Sequence, residues 1–250
     1  MRDNIEFIGQ SVEYVGGYGG DDTIESAART CTQTVGRKSA SDFVRGLVRR
    51  GHMSPTEFGF ADFLIEVDRA IQQELTRHRH FSFNIESTRW INYLKKPVRF
   101  VTKPAKGWDV PDEAVELLER WCELSVLVYE ALLALHADRD YARKAWPLAL
   151  ASNVRMAGNS RAWFEMIAKR IVGAAHPEAR EVAVECAREL GGRFVGLFSA
   201  KAGGRYRPRQ HTARPQGSNH TVVSANVELW DDDPPASIEL GSHTYTIESA

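Results

Sequence analysis

The chain has 250 residues, 43% of them hydrophobic and 26% charged, which suffices to bury the core of one large domain and excludes a disordered chain. A formal net charge of -1 excludes the global basic excess of a general nucleic-acid binder, although it leaves room for a local basic patch. Cys31, Cys122 and Cys186 are odd in number, widely spaced and without a C-x-x-C pair, so neither a disulfide framework nor a structural zinc site is expected. No apolar leader opens the chain and no run approaches the ~18 apolar residues of a membrane span, so a soluble cytoplasmic protein is expected.

In chain order, Phe7-Ile8 and Tyr14-Val15 precede Gly16-Gly17-Tyr18-Gly19-Gly20 and predict a short strand or hairpin that ends in a flexible turn. These glycines lack the Gly-Lys-Ser/Thr ending of a phosphate loop. Asp22 or Thr23 caps a helix through Cys31, and Ser41-Asp42 starts another that runs to Arg50 and stops at Gly51. Phe58, Phe60, Phe63, Ile65 and Val67 nearly alternate, with a slip at Ala61-Asp62 that predicts a bulged strand closed by Asp68. Arg69 to Arg77 has helical composition, so the run after it begins at a helix C-terminus, where cations are favoured.

That run, Arg77-His78-Arg79-His80-Phe81-Ser82-Phe83-Asn84-Ile85-Glu86-Ser87-Thr88-Arg89-Trp90, is poor core material. Its three arginines are planar cationic forks suited to phosphate or carboxylate, and Ser82, Asn84 and Ser87 are short donors and acceptors able to orient a heterocycle. Ser82 and Ser87 have no neighbouring base or elbow motif, so they are read as binding groups and not as nucleophiles. His52, His78 and His80 lack a metal-ligand spacing and sit among arginines that repel a cation, so no metal is expected.

Further on, Pro111-Asp112-Glu113 opens a long helix to about Leu135, apolar enough to be buried and central. A short helix from Asp138 to Trp146 is ended by Pro147, Leu148 to Val172 is helical in composition despite Gly158, and Pro177 opens a last amphipathic helix to Phe198. On one continuous helix Asn159 and Arg170 share the face of Met156, Trp163 and Ile167, where each needs an internal partner or a ligand. Arg161 and Glu165, at i,i+4 spacing, point the other way as a surface ion pair. The tail differs in kind: basic residues among Gly and Pro at 201–220, a strand-like Thr221 to Trp230, then Asp231-Asp232-Asp233. It either folds back, meets a neighbouring subunit or is a flexible appendage.

Three ordered blocks carry a resemblance. Arg77-His78-Arg79, seven residues and then Ser87-Thr88-Arg89 resembles the signature of the flavin-dependent thymidylate synthases. Gly51-His52-Met53-Ser54-Pro55-Thr56-Glu57 resembles the segment before it, and Arg143, Asn159, Arg161 and Arg170 resemble the later ligand-contacting region. The resemblance covers residues 1–198 as a catalytic domain and leaves 199–250 as a C-terminal extension. It implies an α+β fold with a central long helix and a small sheet, and FAD-dependent reductive C5 methylation of dUMP or UMP, with NADPH and methylenetetrahydrofolate. By position, Cys31, Ser54, Glu57, Arg77, His78, Arg79, Asn84, Asn159 and Arg161 would contact FAD, with His52 near the flavin. Glu74, Ser87, Thr88, Arg89, Arg143 and Arg170 would hold the nucleotide, Arg170 also stabilising charge on the uracil ring. Homotetramers with shared active sites are implied as well. Trp90, Cys31 and Glu165 depart from the family's usual tyrosine, serine or threonine, and asparagine. The alternative from another class is a single-strand nucleic-acid module in which Arg77, Arg79 and Arg89 meet phosphates while Phe81, Phe83 and Trp90 stack on bases.

Overall fold

The computed structural model describes residues 4–34, 36 and 39–198, together with the backbone of strands at 237–240 and 243–246. Its centre is an antiparallel sheet of β2 (Ser11–Tyr18), β3 (Phe60–Asp68), β6 (Ala151–Asn159) and β4 (Phe81–Ile85), in the order β2-β3-β6-β4. A second, two-stranded parallel sheet joins β1 (Ile5–Ile8) to β5 (Val98–Val101). Between the strands run α1 (Asp21–Thr30), α2 (Ala40–Arg49), α3 (Arg69–Thr76), α4 (Asp112–Ala134), α5 (Arg139–Ala142), α6 (Ser160–Arg170), α7 (Pro177–Gly191) and α8 (Val195–Phe198). The tail contributes a hairpin of β7 (Ser237–Leu240) and β8 (His243–Thr246), whereas the strand-like Thr221 to Trp230 lies outside the described residues.

Alternation decides the sheet. Ala61, Phe63, Ile65 and Val67 of β3 and Val154 and Met156 of β6 are buried on one face, against α2, α6 and α7. Trp163 fills the centre, 4.7 Å from both the Phe63 and Phe81 rings, and its indole donates to the Ala61 carbonyl at 3.1 Å. The outer face carries Asp62, Glu66, Asn153 and Arg155, and Arg155 clasps Asp62 with a forked pair of hydrogen bonds. A second core lies under β1 and β5, where Phe100, Tyr129, Tyr93 and Trp146 pack around the inner stripe of α4.

Several sequence expectations change here. Residues 148–172 are not one helix: 151–159 form the strand at the centre of the sheet, and helix begins only at Ser160. Helical composition misled because this strand is shielded on both edges, so residues of ordinary helix propensity are carried by pairing and burial. Gly158 sits in that strand because a Cβ there would meet the Phe81 ring at 2.6 Å. The bulge belongs to β2, between Tyr14 and Gly16; the β3–β6 register runs unbroken from Phe60–Asn159 to Asp68–Ala151. Phe58 lies outside β3, in a 3-10 turn over Ser54–Phe58. β1 and β2 form no hairpin with each other, since they enter different sheets. The first helix is preceded by Gly20 without a side-chain cap, and the second is capped by Ser39, not Ser41.

The long helix has the expected extent, but in the single chain only Cys122, Ser125, Val126 and Tyr129 are buried along it. Leu117, Trp121, Leu124, Leu127 and Val128 form an exposed apolar stripe on its other side. Among the described residues no helix is long and apolar enough to cross a membrane.

Glu178 lies buried in the first turn of α7, with the His176 ring nitrogen 3.9 Å away. Burial, then the neighbouring Asp68 and Glu181, push its carboxyl from 4.5 up to about 7. A raised folded value means the stabilising contribution is complete below 4.5 and is lost as pH rises through about 7. Glu178→Gln cannot ionise, so its melting temperature should gain on that of the unaltered chain progressively from about pH 5 to pH 8. Parallel melting curves across that range check the sign.

Candidate active site

The cationic run is shaped by α3 and β4. Asp68 caps α3, its carboxylate accepting the Ile71 amide at 2.7 Å, and the helix ends at Arg77. Three residues later the chain enters β4, where Phe81, Phe83 and Ile85 point inward and Ser82 and Asn84 outward. Phe81 and Phe83 are therefore packed against the core and unavailable to stack on bases, which removes two of the three aromatics that the nucleic-acid alternative needs. Trp90 is exposed.

Three clusters organise the polar residues. In the first, Arg170 at the end of α6 donates from Nη1 to Glu74 Oε2 at 2.6 Å and from Nε to His78 Nε2 at 3.0 Å. His78 must accept there, so its imidazole is neutral with the proton on Nδ1. Burial, then Arg170 and Lys169, lower its pKa to about 4, which keeps that acceptor available at neutral pH.

The second cluster lies at the start of α6. Asn159 caps the helix, its Oδ1 accepting the Ala162 amide at 2.8 Å, and Arg161 spans Glu165 at 2.9 Å and Glu57 at 2.7 Å. The Arg161–Glu165 pair is the one its spacing predicts; Glu57 is the tertiary addition. Glu57 is brought there because Ser160 bonds the 3-10 turn through Thr56 and Gly59. Gly59 permits the approach, since any Cβ at that position would collide with the Phe194 ring. His52 is exposed just ahead of this turn and Ser54, also exposed, is its first residue. Gly51, at φ +74°, ends α2 by turning left-handed and lets the His52 amide bond the Leu47 carbonyl at 3.0 Å. Cys31 is exposed at the C-terminus of α1.

The third cluster joins Thr88, Arg89 and Arg143. Asp140 accepts Arg89 Nε at 2.7 Å, and Arg143 reaches the Asp140 carbonyl at 3.4 Å and Thr88 Oγ1 at 3.5 Å. Ser87 Oγ accepts the Arg89 amide at 3.3 Å, so it shapes the turn. Arg77 and Arg79 stand apart. Both are exposed and make no ion pair among the described residues. Two uncompensated guanidiniums two residues apart are a donor set for an anionic ligand.

Asn159 and Arg170 thus do not share a strand-to-helix face with Met156, which lies in the sheet. Both have internal partners, a helix amide and the Glu74–His78 pair. Arg77 and Arg79 precede β4 and Ser87 to Arg89 follow it, so the two groups lie at opposite ends of a five-residue strand. Among the described residues no group of three or more His, Cys, Asp or Glu is placed to hold a metal. Asp140 and Glu86 are the partners that the sequence reading passes over. Asp140 carries a faint signal, three residues before Arg143 and on the same short turn.

The family model described as thymidylate synthase complementing protein matches residues 13–194. The chain belongs to the flavin-dependent thymidylate synthase family. A probable flavin-dependent thymidylate synthase of Mycobacterium phage L5 is 31% identical over 206 residues, covering 75% of this chain and 83% of that protein. The flavin-dependent thymidylate synthase of Mycobacteroides abscessus is 31% identical over 197 residues, covering 72% and 79%. In fold the chain is similar to the UMP/dUMP methylase PolB from Streptomyces cacaoi bound with 5-Br dUMP, with a TM-score of 0.67 at 23% identity over 77% of this chain and 94% of that one. The matched segment contains all three blocks and all three clusters.

His78 offers a direct check of the first cluster. In an NMR titration its imidazole should titrate near 4, and Arg170→Gln should move the midpoint upward because a neighbouring positive charge is gone. A midpoint near 6.5 in the unaltered protein would contradict the buried, Arg170-facing ring.

Proposed function

We propose that this enzyme carries out FAD-dependent reductive C5 methylation of a uridine monophosphate in the cytoplasm, with methylenetetrahydrofolate as carbon donor and NADPH as reductant. The observation that carries the reading is the division of cationic groups: uncompensated Arg77 and Arg79 before β4, and the Arg89–Arg143 pair after it. The first suits a dinucleotide's pyrophosphate and the second a nucleotide's monophosphate. The FAD would be held by Arg77, His78, Arg79, Asn84, Ser54, Glu57, Asn159 and Arg161, with Cys31 and His52 at its margin. Bound there, it supplies the hydride chemistry, for which the chain's own groups offer no substitute.

The protein's own part is to bind, orient and polarise. Arg89 and Arg143 take the phosphate, Ser87 and Thr88 line its approach, and Glu74 orients Arg170. A neutral His78 fixes Arg170 at Nε, leaving the weaker 3.4 Å contact between Nη2 and the Glu74 carbonyl as the one to exchange for a substrate oxygen. Arg170 then stabilises negative charge on the uracil ring as C5 becomes nucleophilic. The exposed stripe on α4 supports a homotetramer, since a monomer gains nothing by leaving Trp121 51% and Leu127 57% exposed. On this reading residues 1–198 form the catalytic domain and 199–250 an appended extension.

The protein reconstituted with excess FAD should retain flavin absorbance after desalting, and loss of all absorbance would refute the reading. Arg79→Ala should weaken flavin affinity by about 1.5–3 kcal/mol, the usual scale for a hydrogen bond to a charged group.

Placed near the ribose, Trp90 would set the sugar preference, since it offers a large face and a single indole donor. Apolar or aromatic surface rejects an added hydroxyl only weakly, by roughly 100-fold, so dUMP should be turned over with detectable turnover of UMP. Parallel assays decide it: UMP activity below detection while dUMP reacts defeats the relaxed preference.

A further inference from the structure

Glu86 stands between β4 and the loop that carries Thr88 and Arg89, and nearly every polar atom it has is tied down. Its amide donates to the Asn153 carbonyl at 2.9 Å, which continues the β4–β6 ladder one step past the strand. Its own carbonyl accepts Arg69 Nη1 at 3.1 Å, which fixes it to the first turn of α3. The carboxylate accepts the Asn153 side-chain amide at 2.8 Å on Oε2 and the Tyr93 hydroxyl at 3.3 Å on Oε1. Between these two residues the chain turns tightly, with the Trp90 and Ile91 amides both bonding the Ser87 carbonyl at 3.2 Å.

Under this loop lies a cavity of about 390 Å³, lined from the loop by Ile91 and Tyr93 and from below by Arg99, Leu150 and Asn153. Ile91 and Tyr93 thus line this space with one side while packing against the second core with the other. Tyr93 itself is well anchored: it is buried, with its ring edge-on to Trp146 at 5.1 Å and to Tyr129 at 6.2 Å. Its hydroxyl brings the far end of the loop back to the residue where the loop began. Such a closure restricts the orientations available to Arg89 before any ligand arrives, and preorganised donors bind more tightly.

We propose that Glu86 and Tyr93 are positioning residues, a staple that closes residues 86–93 into a rigid loop and so sets Arg89 and Thr88 for the nucleotide phosphate. The proposal rests on the reading of Arg89 and Arg143 as the phosphate site. It assigns specificity for a phosphorylated ligand partly to two groups that never touch it.

The test uses FAD-reconstituted protein, with dUMP affinity from calorimetry and KM and kcat from turnover. Tyr93→Phe deletes only the hydroxyl and keeps the ring in its aromatic cluster. It should weaken dUMP binding and raise KM about five- to tenfold, on the scale of one ordinary net hydrogen bond, with kcat changed less than about twofold. Glu86→Gln keeps an acceptor oxygen and should lose less than Glu86→Ala. Combined with Glu86→Ala, Tyr93→Phe should add much less than it costs alone, because both remove the Tyr93–Glu86 contact and only the lesser interaction of the hydroxyl with Arg69 is left to lose. Unchanged dUMP affinity in Tyr93→Phe overturns the staple, as does a loss that appears equally in flavin retention, which would report general loosening. Arg89→Ala separates the two levels: if it leaves dUMP affinity intact, the phosphate reading fails and the staple loses its purpose with it.

Discussion

Because β6 pairs with β3 on one edge and β4 on the other, its ladder determines where nearly every polar side chain of the site can be. Nine residue pairs run in register from Phe60–Asn159 to Asp68–Ala151, and five more tie β4 to the far edge. At one end of this ladder the strand delivers Asn159 as the cap of α6; at the other, Asn153 holds Glu86 where β4 leaves the sheet. A slip of one residue would exchange inner and outer faces, placing Arg155 against Trp163 and Met156 in water. The inner face is specified by large side chains, Phe63, Met156 and Trp163, so that alternative is strongly disfavoured.

The electrostatics follow a consistent division. Arginines that hold elements together are paired with carboxylates: Arg155 with Asp62, Arg99 with Glu66, Arg161 with Glu57 and Glu165, Arg170 with Glu74, Arg89 with Asp140. Exposed pairs of this kind contribute about 0–1 kcal/mol each, so their effect is on orientation more than on stability. Among the described residues Arg89 keeps its two terminal nitrogens uncommitted, because Asp140 engages only Nε. The fork is therefore held in one orientation by Asp140 with its outer edge open, the arrangement on which the proposed phosphate site rests. Arg77 and Arg79, by contrast, carry charge that the rest of the described chain leaves uncompensated, which concentrates positive potential at the end of α3.

His78 shows how burial and charge cooperate. A protonated imidazole could not accept from Arg170, and the same neighbours that need it neutral are those that lower its pKa. The Glu74–Arg170–His78 group is accordingly self-consistent: carboxylate, guanidinium and neutral ring each satisfy the next without a ligand. That economy lets a polar cluster sit between α3 and α6 beside an apolar core without leaving orphaned charges.

Much of this was legible in the residues themselves. The stop at Gly51 and the start at Pro177 followed local rules, whereas the caps of the first two helices did not, and the i,i+4 pair of Arg161 and Glu165 lay where its spacing puts it. The three blocks from Gly51 to Glu57, Arg77 to Arg89 and Arg143 to Arg170 were enough to indicate the family, because motifs of fixed spacing survive without knowledge of the fold. The strand at 151–159 was not legible. Its composition suits a helix, and only pairing on both edges makes it a strand, an interaction supplied by β3 and β4, which are distant in sequence. The same is true of Arg170 with Glu74, Arg161 with Glu57 and Glu86 with Asn153 and Tyr93. Sequence by itself determined which residue types were available for the chemistry and which local turns they would make; tertiary pairing decided which of them meet, because contacts between distant segments depend on sheet register and helix packing that no local pattern encodes.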